Sequence, residues 1–69
     1  MFAVYNHFVL GKLSLRATFI LLNDAIAWAN NRADYDFSPS IFEFSKGDEI
    51  PNEIDKRESK LVDLMVYQA

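Results

Sequence analysis

The sequence predicts a small α+β domain: a β-β-α-β antiparallel sheet covered on one face by a helix, then a C-terminal helix, with a C-terminal strand as the alternative. Three observations predict it. A two-residue "GK" connection separates two alternating runs, "LLNDAIAWANN" carries apolar residues at helical spacing, and strand-type residues resume after Pro39. With 69 residues, 51% apolar and 14% aromatic, the chain reads as one small domain, 1–69, whose core only just offsets the entropy of ordering it.

The hairpin spans residues 2 to 10 and 13 to 21, with Gly11 leading a type II′ turn at Gly11 and Lys12. Closing the loop there pairs Leu10 with Leu13, Phe8 with Leu15, Asn6 with Ala17 and Val4 with Phe19, which share one face and form the buried one. The opposite face carries Val9 beside Ser14, His7 beside Arg16 and Tyr5 beside Thr18. It is mixed and open.

Asn23 is the expected helix cap and Asp24 places an acid at the positive end of the helix dipole. Leu22, Ala25, Ile26, Ala29 and Ala33 form the apolar stripe, and Asn30, Asn31 and Asp34 prepare an exit near 32–34. Trp28 falls roughly 100–120° from the centre of that stripe, on the side shared with Asp24 and Arg32. It stands at a border, to be covered either by the C-terminal segment or by a partner.

A third strand is expected at 40–46, with Phe42 and Phe44 on the core and Ile41, Glu43 and Ser45 outward; Pro39 marks its start at an edge of the sheet or outside it. "DKRESKLVDLM" consists largely of good helix formers, which favours a helix over 53–66. Val62, Leu64 and Val66 alternate with Leu61, Asp63, Met65 and Tyr67, and this pattern keeps the strand alternative open.

The inventory for chemistry is thin. One His, no Cys and no Gly-rich loop exclude thiol nucleophiles, Cys zinc sites and phosphate cradles, so no catalytic, cofactor or metal residues are assigned. Ser38, Ser40 and Ser45 read as turn residues. Asp48, Glu49, Glu53 and Asp55 lack the spacing of a calcium loop and read as a solvated connection. His7 reads first as a half-exposed strand residue and second as a contact residue. The net charge of -3 opposes direct nucleic-acid binding. The opening "MFAVYNHFVLGKLSLR" has neither a basic leader nor a membrane-length apolar run, and with no cysteines the expected location is cytoplasmic.

What remains is surface. Tyr35, Phe37 and Tyr67 fall outside the clear core positions, and Tyr5 and Ile41 fall on the open sheet face, more aromatic surface than solvent alone would favour. Tyr5, His7, Arg16, Trp28, Arg32, Tyr35 and Glu43 are the candidate partner-contact residues, because Trp, Tyr and Arg dominate binding hot spots.

The order hairpin, helix with "DAIAWA", strand resembles the small bacteriophage-encoded inhibitors of bacterial RNA polymerase, in which a sheet with one helix docks on the enzyme. "LLNDAIAWANNRADYD" resembles the helix region of antitoxins from T-even phages, and the chain is similar in type to anti-CRISPR proteins. These resemblances imply a non-enzymatic phage-type protein in the host cytoplasm that binds and inhibits a bacterial host protein. The first expectation is a defence component, such as a CRISPR-type effector or a toxin. RNA polymerase inhibition and a homo-oligomeric accessory role are the alternatives.

Overall fold

A computed structural model describes residues 1–9, 11–33, 37–57 and 63–68, with backbone only for residues 8 and 9. The chain runs β1 (Phe2–Val9), β2 (Lys12–Phe19), α1 (Leu22–Arg32), β3 (Ser40–Glu43), β4 (Glu53–Asp55) and β5 (Met65–Gln68). The strands form one sheet in the order β4-β2-β1-β3-β5, and every neighbouring pair is antiparallel. Because β1 lies between β2 and β3 and opposes both, those two strands run parallel to each other. α1 makes the crossover that such a pair requires. The α+β class and the hairpin, helix and third strand thus appear where the sequence places them.

The hairpin register differs from expectation. Val9 opposes Lys12, so Lys12 belongs to β2 rather than to the turn, while the expected partner of Leu13, Leu10, lies outside the described residues; Gly11 adopts a φ of 77°, a left-handed conformation that glycine reaches without strain. Leu13 lies opposite His7, Leu15 opposite Tyr5 and Ala17 opposite Val4. The pairing slips once between Val4 and Tyr5, leaving Arg16 as the extra residue on β2, and once between His7 and Val9, leaving Phe8 extra on β1. A one-residue slip exchanges the faces of the strand beyond it. Leu13 and Leu15 therefore leave the helix side, where Val4, Ala17 and Phe19 stay.

Both faces of the sheet are consequently buried. On the helix side, Val4 and Ile41 pack with Ala25 and Ala29, flanked by Phe2, Phe19, Leu22, Ile26, Trp28 and Tyr67. The two alanines allow α1 to approach closely. On the other side Ala3, Tyr5, Leu13, Phe42, Phe44 and Ile54 form a second cluster with Leu15 and Ile50 against it. The chain from Phe44 to Pro51 provides this second cover as it travels from β3 to the far edge: the Tyr5 hydroxyl donates to the Pro51 carbonyl (2.6 Å), and the Leu15 N–H donates to the Asn52 carbonyl (2.9 Å).

Several expectations are corrected here. Tyr5 is fully buried, edge-on to Phe42 at 5.3 Å, instead of lying on an open face; Ile41 is buried under the helix for the same reason, a sheet covered twice. Ser40 is a buried strand residue, not a turn residue. β3 ends at Glu43, although the Phe44 N–H still donates to the Met1 carbonyl. Leu21, not Asn23, caps α1, with no side-chain hydrogen bond, and Ala33 is exposed beyond the last turn. The helix expected over 53–66 is replaced at both ends by strand: β4 adds to the edge of β2 and β5 to the edge of β3, with a single 3₁₀ turn at 63–64. Residues 58–62 lie outside the described residues. Local helix preference is worth only tenths of a kcal/mol per residue, and two open sheet edges offer complete backbone ladders instead.

Candidate functional site

The bulge on β2, the last turn of α1 and Phe37 meet on the helix side of the sheet. Trp28 is half-buried there. Its ring lies 5.9 Å from that of Phe19 and 6.0 Å from that of Phe37, the latter at 70°. The guanidinium of Arg32, one turn on in α1, sits 4.2 Å over the Trp28 ring, and that of Arg16 sits 5.8 Å over Phe37. The result is a series of cation, ring, ring, cation. Each such contact contributes about 0.5–1 kcal/mol at an exposed position.

Two local causes create this series. The bulge makes Arg16 the unpaired residue between Leu15, which faces the second core, and Ala17, which faces the helix. Downstream, the buried Asn6 accepts a hydrogen bond on Oδ1 from the Ser38 N–H (2.8 Å) and so anchors the chain immediately after Phe37. Between the two cations opens a pocket of about 540 Å³, lined by Arg16, Trp28, Asn31, Arg32, Ala33 and Phe37. Neither arginine has an acidic partner among the described residues, where the ion pairs are Lys12 with Glu53 and Arg57 with Asp55.

The structure thus brings together Arg16, Trp28 and Arg32 of the candidate contact residues. It separates Tyr5, His7 and Glu43 from them. Tyr5 is in the second core, and His7 is exposed opposite Leu13 instead of beside Arg16. Glu43 is exposed at the end of β3, opposite Phe2. Tyr35 lies outside the described residues, as do Asp34 and Asp36. The ring contacts of Trp28 are with Phe19 and Phe37, and from β5 Tyr67 packs against the same core cluster, its hydroxyl donating to Asn30 Oδ1 (3.0 Å). Asn6 and Asn31 carry no signal of a site in the sequence, and Phe37 carries one only as an aromatic outside the core.

A second concavity of about 510 Å³ lies among Met1, Ile20, Lys46, Asp48 and Ile50. It is mainly apolar, and Ile20 at its rim is 78% exposed. Among the described residues no three of His, Cys, Asp and Glu gather as a metal-binding group, and no helix is long and apolar enough to cross a membrane. No protein-family model, curated protein or solved structure matches the chain.

Proposed function

We propose that this protein is a non-enzymatic binding protein that attaches to another protein and inhibits it, with the pocket around Trp28 as its contact surface. The observation that carries this reading is the convergence of Arg16, from the bulge of β2, with Trp28 and Arg32, from α1, on one open concavity. Trp and Arg are the residue types on which binding energy concentrates, and a half-buried ring whose position is already held by Phe19 and Phe37 loses little entropy when a partner covers it. The resemblance of the hairpin, helix and strand to phage-encoded inhibitors supports a bacterial host protein as the partner, acting in the host cytoplasm. A defence component such as a CRISPR-type effector or a toxin comes first, and RNA polymerase second.

The test is affinity capture from bacterial lysate. Wild-type protein is expected to retain one protein in a stoichiometric complex, and Trp28→Ala to weaken that complex by on the order of tenfold or more, as hot-spot truncations do. Arg32→Ala, at an exposed position, separates lost contact from lost folding. Retention that is unchanged by Trp28→Ala, Arg16→Ala and Arg32→Ala would overturn the assignment.

A second reading, self-association, is favoured by one specific observation. Leu64, Met65 and Val66 are exposed on and beside the outermost strand β5.

A further inference from the structure

We infer that the pocket between Arg16 and Arg32 is a carboxylate-binding site that takes an acidic segment of the partner; this rests on the protein-binding reading above. The ring contacts position both guanidiniums, Arg32 at 4.2 Å over Trp28 and Arg16 at 5.8 Å over Phe37, without engaging the N–H donors that radiate from each guanidinium rim. Those donors have no carboxylate among the described residues. A guanidinium whose position is held by a ring presents its fork with less entropy left to lose, and the fork matches the two oxygens of Asp or Glu. Asn31 lines the same space and carries a neutral amide donor.

The sign of charge is local. The whole chain carries -3, yet the described residues lining this pocket contribute two cations and no acid. A long polyanion such as nucleic acid would have to pass the acidic remainder of the surface, which electrostatics disfavours. A short segment with two carboxylates meets only the pocket. A volume of about 540 Å³ accommodates side chains rather than a single small ion, and the Trp28 and Phe37 rings offer apolar contact to the methylenes of Glu.

Trp28 is the only tryptophan in the sequence, so its fluorescence reports on this site alone. The full chain is titrated with a capped peptide in which Glu alternates with Ser and Leu, with the same peptide carrying Gln for Glu, and with adenosine monophosphate and inorganic phosphate. The Glu peptide is expected to shift Trp28 emission saturably, weakening as salt rises, and the Gln peptide to bind on the order of tenfold more weakly. Arg16→Gln and Arg32→Gln, at exposed positions, should each weaken the Glu peptide on the order of tenfold with little change in thermal midpoint. Arg32→Lys should restore only part of the loss, because it returns the charge without the fork.

Equal response to the Glu and Gln peptides, or no response to either at millimolar concentration, overturns the carboxylate assignment. Saturable binding of the monophosphate or phosphate with none of the Glu peptide overturns it in favour of a phosphate ligand. If the peptides fail while Trp28→Ala still abolishes lysate capture, the carboxylate class falls and the protein-binding surface stands. If capture is indifferent to all three pocket residues, the surface falls as well.

Discussion

Ser40 shows how little of a residue's environment its own type reveals. Its hydroxyl is buried on β3 with no hydrogen-bond partner among the described residues, and an unsatisfied buried polar group costs about 1–3 kcal/mol. Ser40→Ala removes that group at nearly constant volume. Denaturant unfolding is expected to show the variant as stable as the parent or more stable by about 1 kcal/mol; a loss of that size would indicate an acceptor for the hydroxyl. Trp28 is the contrasting residue. Its displacement from the apolar stripe is a property of helical geometry and could be read directly, as could the Arg32 beside it. That Arg16 joins them could not be read, since a strand register without the bulge sets Arg16 beside His7.

At the scale of elements, the two edges of the sheet are unlike. β4 carries Glu53 and Asp55, which pair with Lys12 and Arg57, and the Asp55–Arg57 contact holds the Asp55 carboxyl below its ordinary pKa through a hydrogen bond from Arg57. Charged residues of this kind deter a second strand from adding to an edge. β5 is Met65-Val66-Tyr67-Gln68, without a charge, and Met65 and Val66 are exposed. Self-association, where it occurs, belongs to this edge. Sedimentation at rising micromolar concentration is expected to show a reversible dimer for the parent and a monomer for Val66→Lys, whereas a parent that stays monomeric throughout rules out the second reading. The helix over 53–66 failed at this scale too: good helix formers were present, but the competing partners, the free edges of β2 and β3, are distant in sequence.

For the molecule as a whole, the decisive feature is cover on both faces of the sheet. Tyr5 records it, because burial under the Phe44–Pro51 chain pushes its phenol up to about 12 while the unfolded chain ionises near 10. The folded state then resists losing a proton that the unfolded state releases. The stability this contributes is complete below pH about 10 and is lost as pH rises through about 12, on the order of 2 kcal/mol across the window. Tyr5→Phe gives up the hydrogen bond to Pro51, about 1 kcal/mol at neutral pH, and should flatten the alkaline limb of the stability profile. An identical alkaline slope in parent and variant would refute the link to Tyr5.

Double cover also had a trace in the sequence: "FAVYNHFV" and "SIF" are nearly continuous apolar runs, the pattern of strands buried on both sides. The sequence by itself determined the α+β class, the hairpin, the helix with its close-packing alanines and the off-stripe position of Trp28. Each follows from periodicity and turn chemistry acting over a few residues. Only the tertiary structure decided that Tyr5 and Ile41 are core, that the C-terminal region supplies two edge strands, and that Arg16 stacks over Phe37 and lines one pocket with Trp28. Those outcomes depend on one-residue slips in strand register, on which edges remain unpaired and on the route of a connecting chain. Such choices are set by the total area buried and the hydrogen bonds completed across the molecule, sums to which every segment contributes and which no single segment contains.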